Sequence, residues 1–410
     1  MKILWVSHFV PYPPRGGNLQ RSYNLLRRLA SRHEVHLLAF NRRASLTPRA
    51  ADQDAARRAL GEFCASVEVL PIEAERNPIR FATLIATNLG KTTPITTDML
   101  ESRRMARAVV RTASIVDLVH LDTIDLAPYA DLVNGLPIVL HHHNVESILL
   151  ARRVQHEKNP VTKAYLALQT MRIARMEAAE CGRHALNVVV SGVDAKSLDS
   201  LSAGARIAVV PNGVDLDYYR PGPTPSSEDR VVWAGSMSWY PNREAIATFC
   251  RTTWPKIRAL RPGVAFDLIG HSPPATIGGA GIRAHGFVDD IRPLVAQASA
   301  YVVPIRIAGG TRLKILDAMA MGKAIVSTSV GCEGLEVTPG EDILIADDPD
   351  EFARQTVRIL EDKDLRERLG AEARRTVERL YGWDRVWVLL EAAYKGLVNS
   401  NGRPGSHAQS

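Results

Sequence analysis

The sequence has only four cysteines, and their spacing excludes both a disulfide framework and a zinc ribbon. Cys64, Cys181, Cys250 and Cys332 lie far apart in 410 residues, with no C-x-x-C pair. Long apolar runs are also lacking, since none approaches the roughly 18 residues of a membrane-spanning helix. The first residues, MKILWVSHFVPYPP, lack the long apolar region and cleavage site typical of a signal peptide. We therefore expect a cytoplasmic protein with reduced, structural thiols.

Acidic residues are scarce in the first half of the chain. Residues 1–210 contain 27 Lys+Arg and 19 Asp+Glu, the remaining residues contain 24 and 25, and the whole chain has a net charge of +7. A basic first half can contact an anionic membrane or a phosphate-bearing substrate, although solvated helix faces explain the same charges. A peripheral contact with the inner face of the membrane is one prediction, and a fully solvated surface is the alternative.

Strand-like and helix-like segments alternate along both halves, a pattern typical of an α/β protein with parallel sheets. At 410 residues the chain is long enough for two or three domains. We predict two Rossmann-like, doubly wound parallel-sheet domains. The predicted strands of the first are KILWVSHF, EVHLLAF, SVEVLPI, DLVHLD, PIVLHHHN, NVVVS and RIAVVPNG, and those of the second are RVVWAGS, VAFDLIG, IRAHGF, AYVVPI, KAIVSTSV and ILIAD.

Proline and small polar residues mark the boundaries between these segments. Pro160 divides the helical stretch 145–181 into two predicted helices, and RPGPTPSSEDR at 220–230 is a linker by composition. The predicted organisation is a first domain over 1–218, a linker over 219–230, a second domain over 231–383, a helix over 384–399 that packs back on the first domain, and a disordered tail over 400–410. Such folds bind ligands at the carboxyl ends of their strands, so we expect a cleft between the two sheets.

The stretch IAGGTRLKILDAMAMG, residues 307–322, contains the strongest candidate site. It follows a predicted strand, and we expect Thr311 to cap a helix that ends at Gly322. The preceding turn at Gly309 and Gly310 leaves backbone N–H groups at the positive end of this helix. That arrangement favours a bound anion.

Three charged residues on this helix strengthen the prediction. Arg312 and Lys314 lie in the first turn, where a positive charge is unfavourable unless an anion is bound. A diphosphate satisfies both the charges and the amides. Asp317 shares roughly the same face and can accept hydrogen bonds from the vicinal hydroxyls of a ribose. An exposed Asp–Lys pair is the alternative, but the apolar residues around Asp317 favour the wall of a cleft.

A second pair of glycines, Gly16 and Gly17, follows the first predicted strand and precedes a helix. Glycines at a strand-to-helix turn let a phosphate or a sugar approach the backbone closely. A plain tight turn is the alternative. The position after the first strand of a doubly wound domain favours ligand binding.

Seven motifs in combination resemble those of the family 4 glycosyltransferases, and the resemblance covers nearly the whole chain. They are PYPPRGGNLQRSYNLLRRLA, HHNVES, VVPNGVDLDYYRP, WAGSMSWYPNREAI, GFVDDIRPLVAQASAYVVP, GGTRLKILDAMAMGKAIVSTSVGCEGL and YGWDRV. These motifs are most similar to those of sugar transferases from bacterial exopolysaccharide-type clusters. The resemblance implies the GT-B fold, with an acceptor-side first domain and a nucleotide-sugar-binding second domain.

The resemblance also implies an activity. Such enzymes transfer a sugar from a nucleoside-diphosphate sugar to a saccharide, a lipid-linked molecule or another hydroxyl acceptor. They retain the anomeric configuration and use no metal or other cofactor. No nucleic-acid partner is implied. By the same resemblance, the Gly16-Gly17 turn closes over the donor phosphates when the domains come together.

In the second domain this sequence departs from the family pattern. The wider family has two glutamates eight residues apart, where this chain has Gly309 and Asp317. Gly235 and Ser236, after the first strand of this domain, are candidates for donor binding. The Arg and Lys that usually follow that strand have no clear match here unless Arg243 serves.

In the first domain the family places a histidine near the donor sugar, at the end of a strand. The candidates are His120, His143 and Asp122, the last at a position where that histidine is often found. We predict these three residues as catalytic, with a satisfied structural histidine as the alternative.

Three other motifs are predicted to be structural. Residues of the tract His141–His143 alternate faces on a strand, so only the first and third point together, and no flanking Cys or acid completes a metal set. Asp215–Asp217 mimics a metal-binding Asp-x-Asp but lies beside the predicted linker. Gly279–Ala284 matches a dinucleotide pattern only by letters and opens no helix. The sequence therefore predicts no metal site.

Two other functions remain open on the same fold. A nucleotide-sugar 2-epimerase or hydrolase would use water in place of the acceptor. An inactive GT-B scaffold is favoured by the glycine at position 309. Arg312, Lys314 and Asp317 argue against a scaffold, which needs no charges at a helix amino end.

Overall fold

A computed structural model describes residues 1–14, 16–42, 50–222, 227–274 and 277–401. The chain forms two compact units. The first unit comprises Met1–Pro211 together with the chain from Trp387 onward, and the second unit comprises Asn212–Val386. The chain therefore leaves the first unit just before residue 212, ahead of the predicted domain end at residue 218, and returns to it after the second unit.

The first unit contains a parallel sheet of seven strands in the order β3-β2-β1-β4-β5-β6-β7. The strands are β1 Lys2–Ser7, β2 Glu34–Asn41, β3 Ser66–Pro71, β4 Leu118–Leu121, β5 Ile138–His142, β6 Leu186–Val189 and β7 Ile207–Val209. The α-helices described around it are α1 Gly17–Leu29, α2 Ala50–Gly61, α3 Pro78–Asn88, α4 Ile95–Met99, α5 Arg103–Ala113, α6 Glu146–His156, α7 Pro160–Cys181 and α8 Gly192–Leu201, with 3₁₀ helices at Glu73–Arg76 and Ile124–Leu132.

The second unit contains a parallel sheet of six strands in the order β10-β9-β8-β11-β12-β13. These are β8 Ser227–Ala234, β9 Ala265–Ile269, β10 Ile282–Gly286, β11 Ala298–Val303, β12 Ala324–Ser327 and β13 Leu344–Ile345. The helices are α9 Tyr240–Thr252, α10 Trp254–Leu260, α11 Arg292–Gln297, α12 Leu313–Ala320, α13 Ser329–Cys332, α14 Pro349–Glu361, α15 Lys363–Leu380 and α16 Trp383–Asn401, the last of which continues into the first unit.

The predicted fold class is confirmed, because each of the thirteen predicted strand segments overlaps a strand of one of the two parallel sheets. Central strands such as β1, β4 and β11 are buried from end to end or nearly so, as expected when helices cover both faces of a sheet. Near-continuous apolar runs are therefore what the sequence shows at these positions.

Helix α16 packs back on the first unit, as predicted. Its residues Leu390, Tyr394 and Leu397 are buried there. The imidazole of His33 contacts the Glu391 carboxylate at 3.0 Å. The prediction of two helices on either side of Pro160 is also confirmed, since Asn159 accepts hydrogen bonds from two amides of the first turn of α7 and Pro160 occupies that turn.

Two predicted boundaries differ from those of the structure. Strand β8 begins at Ser227, inside the stretch 219–230 that composition predicted as a linker, and residues 223–226 lie outside the described part of the chain. Helix α16 extends to Asn401, into the predicted tail 400–410, whose residues from 402 onward also lie outside it. In the part of the chain that is described, no helix is both long enough and apolar enough to span a bilayer.

Candidate functional site

The turn between β11 and α12 has a different cap from the one predicted. Gly310 has φ +60, a left-handed conformation that favours glycine. The N-cap of α12 is Arg312 and not Thr311, so the prediction of a threonine cap is wrong. The Thr311 hydroxyl instead accepts a hydrogen bond from Asn212 Nδ2 at 2.7 Å. That contact withdraws the hydroxyl from the helix amides.

The Arg312 guanidinium is buried and binds backbone carbonyls. Its Nε donates to Gly331 O at 3.0 Å and its Nη1 to Gly309 O at 3.0 Å, and Nη2 donates to Glu333 O. The planar fork therefore ties the turn before α12 to the chain after α13. This gives Arg312 a structural role, and its contact with a phosphate stays a prediction.

Lys314 lies half-buried one residue into α12. Its Nζ donates to Asn242 Oδ1 at 2.9 Å and lies 4.2 Å from the centroid of the Trp233 ring. Burial and, to a smaller extent, the charge of Arg312 lower the pKa of Lys314 to about 7, although Asp317 raises it. A desolvated ammonium with few partners is a site where an anion binds favourably.

Asp317 follows Lys314 by one turn of the same helix. Its Oδ1 is buried and has no hydrogen-bond partner among the described residues. Burial raises the pKa of Asp317 to about 8, with Lys314 lowering it and Asp215 raising it. A buried acceptor without a donor is costly unless a ligand supplies one. The exposed Asp–Lys pair considered as the alternative does not describe these two half-buried residues.

The loop after β8 forms the other side of this group. A Cβ atom at Gly235 would lie 2.6 Å from Lys314 Nζ, so only glycine leaves the ammonium in place. Asn242 Nδ2 donates to Ser236 O at 2.7 Å, and this amide therefore connects the loop to Lys314. We call Gly235, Asn242, Lys314 and Asp317 the Lys314 site.

The structure also places three further predicted residues, Gly309, Arg243 and Ser236. Gly309 is half-buried and uses its carbonyl to hold Arg312. Arg243 is exposed on α9, next to Asn242. The Ser236 hydroxyl contacts the Ser238 hydroxyl at 2.7 Å.

In the first unit, Gly16 and Gly17 form the turn between β1 and α1. Gly16 has φ +100, which favours glycine, and it is the N-cap of a helix that begins at Gly17. No side-chain hydrogen bond caps this helix within the described residues. The first-turn amides of α1 therefore have no side-chain acceptor, as a site for an anion requires.

Asp122 and His143 meet where β4 and β5 end. His143 Nε2 lies 3.2 Å from Asp122 Oδ1, and His141 Nδ1 lies 3.3 Å from the same oxygen. The hydroxyls of Ser7 and Ser22 donate to Asp122 Oδ2 at 3.0 and 2.8 Å. Burial raises the pKa of Asp122, but His143 and His141 outweigh it and hold the pKa well below its usual range.

His120 is separated from this carboxylate by a chain of buried hydrogen bonds. Arg21 Nε donates to His141 Nε2 at 2.7 Å, so the other ring nitrogen of His141 is assigned the proton. His141 Nδ1 contacts His120 Nε2 at 3.2 Å, and His120 Nδ1 contacts the Tyr394 hydroxyl at 2.6 Å. Burial lowers the pKa of His120 to about 3, and its ring stacks on Trp5. His120 is thus a satisfied core residue, the alternative given for the predicted catalytic histidines.

The histidine tract alternates faces as predicted. The rings of His141 and His143 stack with centroids 4.6 Å apart, whereas His142 contacts Asn187 Oδ1 at 3.2 Å. The statement that no acid completes a metal set is wrong, because Asp122 reaches the tract from the neighbouring strand.

Within the described ranges of the chain, two groups of side chains have the composition of a metal site. The ligand atoms of His8, Asp122 and His143 lie within 4.8 Å of one another, as do those of His120, Asp122 and His141. In the second of these groups, hydrogen bonds from Arg21 and Tyr394 already occupy ring nitrogens. In the first group, the buried Nδ1 atoms of His8 and His143 have no hydrogen-bond partners among the described residues. Its donor set, two imidazoles and one carboxylate, suits a transition metal as well as a hydrogen-bonding ligand.

The two remaining motifs have structural roles, as predicted. Asp215 Oδ1 accepts the backbone N–H groups of Asp217 and Tyr218, which makes it a turn cap. Gly279–Ala284 leads into strand β10 and opens no helix.

Two family models together match most of the chain. The model described as Glycosyltransferase Family 4 matches residues 16–218, and the model described as Glycosyl transferases group 1 matches residues 228–362. The chain belongs to the family 4 glycosyltransferases. Comparison with curated proteins gives no significant match.

Solved structures share the fold of this glycosyltransferase at low sequence identity. Sucrose-phosphate synthase from Thermosynechococcus elongatus has a TM-score of 0.71 at 17% identity over 98% of this chain and 100% of that chain. HepE from Anabaena, in complex with UDP-glucose, has a TM-score of 0.65 at 18% identity over 96% and 100%. The lipopolysaccharide outer core galactosyltransferase WaaB has a TM-score of 0.60 at 13% identity over 97% and 99%. These proteins have the GT-B arrangement of two Rossmann-like domains, which the glycosyltransferase shares.

Sequence reasoning missed three polar residues that organise these groups in the glycosyltransferase. Arg21 lies among the buried residues of α1, and a cation in an apolar helical stripe was the available signal. Asn242 carries no local signal of its contact with Lys314, which lies 72 residues away. Tyr394 lies on the apolar face of α16, where its hydroxyl was not distinguishable from other core residues.

Proposed function

We propose that this glycosyltransferase moves a sugar from a nucleoside-diphosphate sugar to a saccharide, a lipid-linked molecule or another hydroxyl acceptor, with retention of anomeric configuration and without a metal. The proposed process is cell-surface or exopolysaccharide biosynthesis. The observation that carries the proposal is the Lys314 site, in which a desolvated ammonium and an unpartnered carboxylate oxygen lie one helical turn apart.

Each of these groups suits one part of the donor. The ammonium of Lys314 neutralises the charge that develops on the diphosphate as the glycosidic bond breaks. Asp317 accepts hydrogen bonds from the ribose hydroxyls, which satisfies its buried oxygen. Solved structures of HepE contain UDP, UDP with glucose, and UDP-glucose, and this supports a nucleotide-sugar donor for a chain of the same fold.

The first unit supplies the remaining residues that we propose to contact the donor. His143, held by Asp122, is proposed to contact the donor sugar, as the family resemblance implies. The turn at Gly16 and Gly17 is proposed to contact the donor phosphates. WaaB is named for transfer onto lipopolysaccharide, and this supports a cell-surface acceptor here.

The test is a thermal-shift panel of UDP, GDP, ADP and dTDP with their common sugars. Ligand that binds only the folded state stabilises it by about 2.7 kcal/mol at a hundredfold excess over Kd. We expect one nucleotide series to raise the Tm of the wild type and to lose that effect in Lys314→Ala. The exposed Lys363→Ala serves as the matched control, since its side chain lies on α15.

Turnover of the donor selected in this panel then distinguishes the possible reactions. NMR identifies the anomer of the product. We expect activity to survive EDTA. Activity that is lost in EDTA and restored by Zn²⁺ or Mn²⁺ would show that a metal is required, with His8, Asp122 and His143 as its candidate ligands. Free nucleoside diphosphate released without any acceptor would favour the hydrolase or epimerase. A panel without any Tm shift would favour the scaffold.

A further inference from the structure

Helix α3 presents large apolar side chains to solvent. Ile79 is 73% exposed, Phe81 42%, Ile85 37% and Leu89, directly after the helix, 56%. Single exposed apolar residues are ordinary, but four within eleven positions of one segment form a patch that marks an interaction surface.

These residues share one side of the helix. Phe81, Ile85 and Leu89 follow one another at intervals of four, so they lie one above the other, and Ile79 flanks the same apolar arc through Ala82 and Ala86. The one buried residue of α3, Asn88, lies at the edge of this arc, three residues after Ile85. The rest of the arc is directed outward, the reverse of a helix that packs its apolar face on a core.

Polar contacts, and not the apolar arc, attach α3 to the first unit. Asn77 caps the helix by accepting the Ile79 N–H at 2.8 Å. Asn88 Oδ1 accepts hydrogen bonds from Gln169 Nε2 at 3.0 Å and from Arg172 Nη1 at 2.9 Å, both on α7. The apolar arc is thus held in a fixed position without being used for folding.

The charges beside this arc are positive where they face solvent. Residues 76–93 contain two arginines and one lysine and no acidic residue. Arg80 pairs with Glu73 and Lys91 with Asp98, but in each pair the cation is the more exposed partner, with side chains 62% and 44% exposed against 37% and 6%. The excess of basic residues over residues 1–210 adds a long-range attraction to anionic surfaces.

We propose that α3 is a membrane-docking helix that inserts its apolar arc into the surface of an anionic lipid bilayer. An apolar arc of aromatic and aliphatic residues with arginine and lysine at its border is the arrangement of an interfacial helix. Anionic head groups complement the exposed cations, which a second, equally basic copy of this chain does not. The proposal is independent of the sugar-transfer reaction.

The test is flotation of the full chain with vesicles of phosphatidylcholine, with and without about 30% phosphatidylglycerol. We expect binding to the anionic vesicles only, weakened by added salt. The double substitution Phe81→Ser with Ile85→Ser should lower the bound fraction by about tenfold or more, because it removes the inserted surface. Val388→Ser with Leu389→Ser is the matched control, since these residues of α16 are 45% and 43% exposed.

A charge substitution distinguishes electrostatic attraction to the lipid from insertion of the apolar arc. Arg80→Glu should weaken binding to anionic vesicles, whereas Lys363→Glu on α15 should not. Unchanged Tm values for all variants show that folding is intact. A wild type that stays unbound, or a double variant that binds as well as the wild type, overturns the proposal. So does a dimer, seen by light scattering, that the double substitution dissociates while vesicles bind neither form.

Discussion

At the scale of single residues, burial sets the properties of the Lys314 site more than charge does. Burial lowers the pKa of Lys314 to about 7 and raises the pKa of Asp317 to about 8, although the two opposite charges attract. In the free protein at neutral pH, Lys314 is therefore about half deprotonated and Asp317 is mostly protonated. A ligand that supplies the missing partners restores the charged forms.

We expect the affinity for a nucleoside diphosphate to fall as pH rises. A bound diphosphate favours the ammonium of Lys314 and raises its pKa above the free value of about 7, so binding takes up a proton at higher pH. Because ionisation of Asp317 on binding releases a proton and offsets this uptake below its free pKa of about 8, the affinity should fall by up to about tenfold per pH unit only above about pH 8. Calorimetry in buffers of different ionisation enthalpy measures this uptake. Lys314→Arg keeps its charge and should flatten the profile, and a wild type with constant affinity contradicts the assignment.

A second prediction at this scale concerns Gly235. In Gly235→Ala the new Cβ would lie 2.6 Å from Lys314 Nζ and 3.0 Å from the Trp233 ring, so the flexible lysine must move. We expect a small change in Tm and a loss of about tenfold or more in nucleotide affinity. The control is Gly278→Ala, because a Cβ there meets no atom within 4 Å. A Gly235→Ala variant that binds as the wild type does would exclude Lys314 from the donor site.

At the scale of elements, the strands were predictable and the turn before α12 was not. Strands are short apolar runs, and this local signal located all thirteen. The role of Arg312 depends on the carbonyls of Gly331 and Glu333, which lie about 20 residues further along the chain. In the same way, the Thr311 hydroxyl accepts a hydrogen bond from Asn212, which lies in another segment. Contacts between distant segments decide these roles, and no local pattern records them.

We expect Arg312→Lys to destabilise the second unit although it keeps the charge. Lysine cannot reach three carbonyls with one planar fork, so buried acceptors at Gly309, Gly331 or Glu333 lose their donors. The cost should be about 1–3 kcal/mol of unfolding free energy per carbonyl left without a donor. Urea denaturation measures it. The exposed Arg243→Lys is the control, and equal stability of the two variants contradicts the structural role of Arg312.

At the scale of the whole molecule, the first unit is made of two distant parts of the chain. Helix α16 buries Leu390, Tyr394 and Leu397 in this unit. The Tyr394 hydroxyl completes the buried hydrogen-bond chain at His120. The general pattern of a returning helix was predictable from its apolar periodicity, but its polar partners were not.

A chain that ends at Val386 should keep a folded second unit and lose much of the stability of the first. Removal of α16 leaves a cavity and an unpartnered ring nitrogen on His120, which together cost several kcal/mol. Calorimetry should show one transition near its wild-type temperature and one lowered by about 10 °C or more. The full-length Leu389→Ala variant, changed at an exposed position of α16, is the control. Truncation that leaves both transitions in place would contradict this account.

The same division imposes an order on synthesis. A ribosome produces Met1–Pro211 first, then all of Asn212–Val386, and only afterwards the helix that supplies Tyr394. The first unit is thus begun first and completed last. Its core lacks α16 while the 175 residues of the second unit are translated. A message cut short within that interval leaves both units incomplete, and one cut just after Val386 yields a complete second unit beside an incomplete first one. The position of α16 therefore makes the core of the first unit depend on residues that are translated after the whole second unit.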